Sequence, residues 1–301
     1  MKQIWALTKR NVKLFFNDKG MFFTSLITPG ILLVLYATFL SNVYKDSFLS
    51  GLPEGFNIKE ELINACVSGQ LISSILAVSC VTIAFCSNLL MVQDKANSVI
   101  KDFTISPVKP SVLALGYYFA TLISTLTICF TTTAICLVYV YSTGWYMSIA
   151  DVLLLILDVF LLVMFGTALS SIIGHFLSTQ GQISAVSTII SSCYGFICGA
   201  YMPISQFSEG LQKVVSLLPG TYGTSLLRNH ATRGIFEEML DSGFPEEAVK
   251  AMQDTIDCNI RFFGGSETVS EPAMYIILST TIIILITTYI LLNIFRGEKV
   301  K

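Results

Sequence analysis

The amino-acid sequence predicts an all-α polytopic membrane protein, on three observations. Hydrophobic residues make up 53% of the 301 residues and charged residues only 13%. Soluble domains contain about half apolar and about a quarter charged residues. The mean hydropathy is +0.70, and long stretches without a basic residue recur along the chain. A basic, amphipathic first segment runs directly into the first of these stretches, so an ordinary soluble domain is excluded.

The first segment, residues 1–20, predicts a helix that lies in the membrane interface. On a helical wheel, apolar and basic residues fall on opposite arcs. The next stretch, 21–41, has full span length, and Asn42-Val43-Tyr44 offers no cleavage site, so the segment is not a secretory signal peptide. The apolar arc holds Ile4, Trp5, Thr8, Val12, Phe15 and Phe16, the basic arc holds Lys2, Lys9, Arg10, Lys13 and Asn17, and the boundary holds Leu7, Asn11 and Leu14.

Six apolar stretches are long enough to cross a bilayer, since a span needs about 20 residues. The third stretch is too long for one crossing, so we expect its helix to end near 141–144, with Trp145 and Tyr146 at the interface. The chain is then one transmembrane domain, 1–301. Its predicted spans are 21–41, 64–93, 111–141, 149–174, 178–201 and 272–295, with a cytoplasmic segment 94–109 and an external segment 202–271.

The charges of the short loops predict that both termini lie in the cytoplasm. With the amino terminus inside, the cytoplasmic pieces carry eleven Lys and Arg residues against four acids. The short outer loops carry only Lys45 and Lys59 against five acids. This asymmetry follows the positive-inside rule.

The eight cysteines predict no metal site, because there is no CxxC pair and no Cys/His cluster. Cysteine in an apolar stretch behaves as a small hydrophobe, and six of the eight are of this kind. Cys66 and Cys258 are the only pair that could form a bridge on the oxidising side, although a core role is favoured for cysteines here. The six are Cys80, Cys86, Cys129, Cys136, Cys193 and Cys198.

The link between the second and third spans predicts a short cytoplasmic helix over Asp94–Ile105. Charged residues alternate there with apolar ones, and no helix breaker occurs before Ser106-Pro107. The alternative is an ordinary solvated connector. This order of elements resembles the coupling-helix region of ABC-2 type permeases, the membrane subunits of type V ABC exporters of the multidrug and daunorubicin kind. Asp94-Lys95 stands where these often have Asp/Glu-Arg, Ser106-Pro107-Val108 matches their Ser/Thr-Pro-Val, and Ser98-Val99 departs from their usual Gly-Thr.

The chain after the fifth span is similar to the apolar, proline-marked outer hairpin of the same family. The resemblance implies that the chain leaves the membrane at Pro203 and re-enters as short helices before the last span. Its marker residues are Pro203, Pro219, Tyr222 and Arg228. The resemblance thins beyond Arg228, where helical spacing on both sides of Gly243-Phe244-Pro245 predicts a small external helical hairpin. We expect this hairpin to cover the span ends rather than to contact a partner.

The chain has no phosphate-binding GxxxxGK[ST] loop, so we expect no catalytic residue and no cofactor on this chain. The family resemblance implies two ABC ATPase subunits that bind ATP and Mg²⁺, and a second copy of this permease or a homologous one. Membrane lipids are further partners, nucleic acid is not, and a bacterial cytoplasmic membrane is the expected location. The predicted ATPase-coupling residues are Asp94, Lys95, Ser98, Val99, Ile100, Lys101, Phe103, Ser106, Pro107, Lys9 and Lys13.

Asp158 is the one acid inside a predicted span, and burying a charge there costs a few kcal/mol or more. It either contacts substrate or a cation, or pairs with a Ser, Thr or Tyr hydroxyl on a neighbouring helix, or lies near enough to the interface to reach water. Thr132, Ser187 and Ser191 are further pathway candidates, although such residues also hold helices together. His175 is interpreted as a helix-end residue.

The predicted function is the permease of an ATP-driven exporter for an amphipathic drug, peptide or lipid-like substrate. A lipid-linked polysaccharide exporter is the nearest alternative. A membrane sensor or immunity protein that binds antimicrobial peptides through segment 202–271 is a second one. An intramembrane enzyme would need paired acids or a metal motif, and Asp158 alone does not form a pair.

Overall fold

The computed structural model describes residues 1–35, 38, 45, 59–105, 108–265 and 267–299. Within these ranges the fold is all-helical, and the one β-type contact is an isolated bridge between Arg261 and Thr268. The helices are α1 (Lys2–Asn17), α2 (Lys19–Leu35), α3 (Glu60–Ser87), α4 (Leu89–Ala96), α5 (Val99–Ile105), α6 (Pro110–Thr143), α7 (Ile149–Phe176), α8 (Gln180–Ile197), α9 (Glu209–Val215), α10 (Pro219–Asp241), α11 (Glu246–Thr255) and α12 (Glu271–Lys299), with 3₁₀ turns at Ile204–Gln206 and Phe262–Gly264.

Four stretches of helix in the described residues are long and apolar enough to cross a membrane. They are Glu60–Ala96, which joins α3 and α4, then α6, α7 and the Glu271–Phe295 part of α12. The two other predicted spans correspond to α2 and α8. Helix α2 is shorter than these four. Residues 36–37 and 39–41 of the predicted span 21–41 lie outside the described ranges. Helix α8 has 18 residues and several Gln, Ser and Thr side chains.

Helix α3 is the centre of the bundle. Every residue from Ala65 to Asn88 is buried, and α2, α6, α7, α8 and α10 pack around it. A helix that is apolar on all sides needs such complete cover. Small residues allow the close approach: a Cβ at Gly69 would lie 2.9 Å from the Ala231 carbonyl oxygen of α10, and one at Gly166 of α7 would lie 2.9 Å from the Cys80 carbonyl oxygen.

Helix α10 lies inside the bundle, although the sequence predicts short helices in this part of an external segment. It packs against α3, α7 and α12. Its contacts with α7 run antiparallel, since Arg233 meets Asp151 near one end, and a Cβ at Gly223 would touch Leu162 in the middle of α7. The amino-terminal half of α10 therefore lies alongside the middle of the bundle, and its other end reaches the loops.

The helices on both sides of Gly243-Phe244-Pro245 are the end of α10 and α11. Their facing apolar residues are buried, as the helical spacing suggests. These residues are Ile235, Phe236 and Met239 of α10, and Val249 and Met252 of α11.

Candidate functional site: the coupling region and the buried polar clusters

Helix α1 packs across the start of α6 through a stripe that overlaps the apolar arc of the helical wheel and extends to its boundary. Thr8, Asn11 and Phe15 are its buried residues, and a Cβ at Gly116 of α6 would lie 2.8 Å from the Leu7 Cβ. Asn11, expected at the boundary, is thus buried, whereas Trp5, expected on the apolar face, is 65% exposed. Thr8 and Phe15 lie where the wheel places them. Trp5 and Asn11 depart from it because the helix has two apolar surroundings, the protein and the membrane, and hydrophobicity alone does not distinguish them.

A buried polar triad joins α1, α4 and α6 at this crossing. Asp94 accepts hydrogen bonds from Arg10 at 2.8 Å and from the Tyr117 hydroxyl at 2.5 Å. Arg10 also donates to the Asn11 side chain at 2.7 Å. Burial lowers the pKa of Arg10, but the hydrogen bond and charge of Asp94 outweigh it, and the net pKa is raised. The sequence predicts Arg10 on the exposed basic arc. In the structure it points towards Asp94, which lies 84 residues away in the sequence.

Lys95 holds the carboxyl-terminal end of α7. Its ammonium donates to the carbonyl oxygens of Gly174 at 2.7 Å, His175 at 2.9 Å and Leu177 at 3.3 Å. A lysine at this position satisfies carbonyls that have no partner within the helix and complements the negative end of the helix dipole. The Asp94-Lys95 pair therefore connects α4 to α1, α6 and α7.

The predicted helix Asp94–Ile105 is interrupted: Asp94 and Lys95 belong to α4, and the short helix α5 begins only at Val99, after a strained position. Ser98 has φ +62°, a left-handed conformation that glycine adopts without steric cost. In α5, Val99, Ile100 and Phe103 are half-buried, and the Arg10 guanidinium lies 5.4 Å from the Phe103 ring centroid. Ile105 at the end of α5 is 85% exposed. Ser106 and Pro107 lie outside the described residues, and the backbone of Lys101 is helical.

Lys9 and Lys13 are exposed on the side of α1 that faces away from α6. Together with the exposed end of α5, these lysines form a surface of apolar and basic groups beside the triad. We name α1, α4 and α5 the coupling region.

The second polar cluster surrounds Asp158, the acid that the sequence places inside a span. Asp158 is fully buried, accepts a hydrogen bond from the Tyr275 hydroxyl of α12 at 2.6 Å, and lies 2.6 Å from Nδ1 of His230 on α10. Arg233, one turn along α10, bonds Asp151 at 3.1 Å and Glu271 at 2.9 Å. This geometry corresponds to the structural alternative, in which a tyrosine hydroxyl on a neighbouring helix is the partner of Asp158.

A third cluster fixes the beginning of the outer hairpin to α10. Arg228 is 1% exposed and donates to Asp257 at 3.2 Å and to the Gly199 carbonyl oxygen at 2.5 Å. Asp257 also accepts from the Ile204 backbone N–H at 2.8 Å. Burial raises the pKa of the Asp257 carboxyl, and Arg228 and the Ile204 N–H oppose that rise without cancelling it.

The other marker residues of the hairpin have local roles. Pro219 is the first residue of α10, where a proline fits without loss of a hydrogen bond. Tyr222 is buried, and its hydroxyl donates to the Ser216 carbonyl oxygen at 2.6 Å. Pro203 is buried immediately before the 3₁₀ turn.

The remaining pathway candidates do not form a common polar face. The Thr132 hydroxyl donates to the Ile128 carbonyl oxygen of its own helix, and Ser187 is buried against the bundle. Ser191 is half-buried. The exposed polar edge of α8 consists instead of Ser184, Thr188 and Ser192.

All eight cysteines are free thiols, and seven are buried, including Cys66 and Cys258. Among the described residues, no group of three or more His, Cys, Asp or Glu side chains is placed to hold a metal ion.

The fold has apolar helices of spanning length around a buried central helix, with an amphipathic helix and a short helix at one end. This arrangement defines a polytopic membrane protein. The chain belongs to the ABC-2 type transporter family, whose family model matches residues 2–230. It is therefore the permease of an ABC transporter, a membrane component that is not itself catalytic, and membership of this family implies partnership with an ABC ATPase subunit. No curated protein matches the chain.

Proposed function

We propose that this permease belongs to an exporter that moves an amphipathic drug, peptide or lipid-like substrate out of the cytoplasm. Two permease chains, either two copies of this one or this one and a homologue, act with two separate ATPase subunits that bind ATP and Mg²⁺. The observation that carries the proposal is the Arg10–Asp94–Tyr117 triad. It joins the coupling region to the long helix α6, so a force on that region reaches a span directly.

The proposed topology has six spans, with α2 and α8 as the first and fifth, and both termini in the cytoplasm of a bacterial cell. The distribution of Lys and Arg supports this orientation. Helix α10 then enters the membrane from the outer side, and the Asp158 and Arg228 clusters lie toward that side. Buried ion pairs satisfy the polar groups that α10 brings into an apolar environment.

The proposed ATPase contact uses the exposed end of α5 and the basic side of α1. Ile105, with half-buried Val99 and Phe103, enters a groove of the ATPase, and Lys9 and Lys13 contact its rim or anionic lipid head groups. Asp94 and Lys95 act from within, because their bonds hold α4 against α1, α6 and α7. ATP-driven closure changes the spans only if the ATPase contacts differ between the two states.

The proposed substrate path runs along α8. Ser184, Thr188 and Ser192 form the exposed polar edge of this helix, and such residues face a partner chain or a polar path more readily than lipid. The cargo then passes between the two permease chains.

The test is transport by a purified complex of this chain and its ATPase in sealed vesicles. Variants Ile105→Asp and Phe103→Asp should lose substrate-stimulated ATP hydrolysis and transport, while the complex still inserts in the membrane. Glu246→Gln, on the exposed outer helix α11, is the matched control and should leave both activities unchanged. Unchanged transport in Ile105→Asp and Phe103→Asp would contradict the assignment of α5 as the coupling helix.

A further inference from the structure

The segment between α11 and α12 forms a hairpin that follows α10 toward the middle of the bundle. It begins where Asp257 meets Arg228, and the Cys258 carbonyl oxygen accepts from the Ser225 hydroxyl at 2.8 Å. Ile260 then packs with Tyr222 near the start of α10. Each successive contact thus lies closer to the amino terminus of α10.

The tip of this hairpin is the 3₁₀ turn at Phe262 and Phe263. The Phe263 backbone N–H donates to the Ser216 hydroxyl, just before α10, at 3.1 Å. The chain then returns through the bridge between Arg261 and Thr268, and reaches Glu271 beside Arg233. From Arg228 to the start of α10 is nine residues, about 13 Å of helix. The tip therefore lies about 13 Å from the Arg228–Asp257 pair, measured along α10 towards its amino terminus.

The two phenylalanines at the tip are exposed. Phe262 and Phe263 are 53% and 54% exposed, and Phe263 has φ +54°, a conformation that a bulky residue rarely adopts. The adjacent helix α9 contributes exposed Leu211 and Val214, followed by Leu217. The apolar surface of the tip and α9 is thus continuous, and we name it the tip patch.

The depth and charge of the tip patch indicate what covers it. Tip and α9 lie beside the start of α10, at the level of Leu162 in the middle of α7, where the surroundings of a spanning bundle are acyl chains. The Lys213 ammonium lies 5.9 Å from the Phe263 ring centroid, beside the apolar surface. A lysine in that place extends toward lipid phosphate while its methylene groups cover apolar atoms. Arg261 turns the other way and pairs with Asp254 of α11 at 2.7 Å.

We propose that the tip patch is a lipid-binding surface: Phe262 and Phe263 insert among the acyl chains of outer-leaflet phospholipids, and Lys213 pairs with a phosphate. The segment is thus a second re-entrant element beside α10, and it lies beyond residue 230, where the family match ends. The inference rests on the proposed topology, in which α10 enters from the outer side.

Tryptophan quenching in vesicles tests this contact without ATPase or cargo. The chain has two tryptophans, so Trp5→Phe/Trp145→Phe gives a silent background for the reporter Phe262→Trp. The vesicles contain phosphatidylcholine brominated on the upper acyl chain, with phosphatidylglycerol. Bromine quenches only on contact, so the reporter emission should fall about twofold relative to unbrominated vesicles if the ring lies among the acyl chains.

Two matched reporters separate the possible failures. Ile283→Trp, on the exposed side of α12, should also be quenched, and Lys250→Trp, on α11, should not. If Phe262→Trp behaves like Lys250→Trp while Ile283→Trp is quenched, the tip is shielded by a second chain or stands clear of lipid, and the proposal is overturned with the topology intact. If Ile283→Trp is not quenched either, the proposed topology fails and this proposal with it.

A second measurement addresses the charge. Adding Lys213→Gln to the Phe262→Trp reporter should reduce the quenching, since the tip loses its phosphate contact. Equal quenching in both proteins would contradict the role of Lys213 and leave the acyl-chain contact standing.

Discussion

The coupling-region end and the opposite end of this permease, inner and outer in the proposed topology, stabilise their buried polar groups differently. At the inner end, one carboxylate, Asp94, links α1 to α4 and α6, and its partner Arg10 is partly exposed. At the outer end, three acids and two bases connect α7, α10 and α12, and Asp158 and His230 have no exposed surface. At the inner end, Lys95 adds bonds to the α7 backbone carbonyls. Because Arg10 and Lys95 are partly exposed, these links can transmit movement and still let the region shift relative to its neighbours. Several cross-linked pairs hold helices in one arrangement.

This contrast suggests that the outer end is fixed and the coupling region is the movable end. Loss of an outer pair should then cost mainly stability. Loss of the inner triad should cost mainly transport.

The largest effect is expected for Arg228→Ala, which leaves the buried Asp257 carboxyl without its ion-pair partner. Removing one partner of a buried ion pair costs about 3–5 kcal/mol. Unfolding of the purified protein in detergent, followed by helical circular dichroism, measures the loss. Arg261→Ala removes an arginine from an exposed pair at the same end and should cost less than about 1 kcal/mol. Equal losses in the two variants would contradict the picture of a fixed outer end.

Asp158→Ala should come next, with a loss of about 2–3 kcal/mol, because it leaves the His230 and Tyr275 groups without their shared acceptor. Tyr275→Phe removes one bond and should cost about 1 kcal/mol. Unfolding measurements on both variants and the double variant give the coupling between them. A conservative Asp158→Asn protein should transport with an unchanged substrate profile, and a changed profile would instead favour a role in the pathway.

The Asp94→Asn variant should have a smaller effect on stability and a larger one on function. It weakens the bonds to Arg10 and Tyr117 by about 1–2 kcal/mol, since Arg10 is partly solvated. ATP hydrolysis by the complex should continue without stimulation by substrate, as measured in vesicles. Asp102→Asn, an exposed acid of α5, is the control. If Asp94→Asn transports normally, the triad is merely structural and the two ends do not differ.

The smallest effect is expected for Ser98→Gly, and it should be a gain. Glycine accepts the left-handed conformation at φ +62°, which costs an ordinary residue about 1 kcal/mol. Unfolding should show an increase of that order. Ser242→Gly, an exposed serine with a negative φ of −78°, is the control and should give no gain.

Much of the helical layout could be predicted from hydrophobic length, because a span has a fixed minimum. A tyrosine hydroxyl was among the alternatives that the sequence offered as a partner of Asp158, whereas a histidine was not. The partners themselves could not be predicted, because His230 and Tyr275 are 72 and 117 residues away. The departure of Ser98 from glycine was visible in the sequence, but only the backbone angle gives it an energetic meaning.

The inward turn of Arg10 and the position of α10 escaped prediction for a related reason. Residue type alone favours exposure of an arginine and of a helix that contains Arg, Asn and His residues. Buried partners such as Asp94 and Asp257 reverse that preference, and they lie far away in the sequence.

The complete burial of residues Ala65 to Asn88 has a consequence for how this permease can diversify. A residue between Ala65 and Asn88 has protein on every side, so an added methylene costs about 1–3 kcal/mol whatever the cargo is. New substrate preferences are therefore more accessible through changes on the exposed sides of α6, α8 and α12. Selection for a different cargo should accumulate substitutions on those helices and leave the central one nearly unchanged.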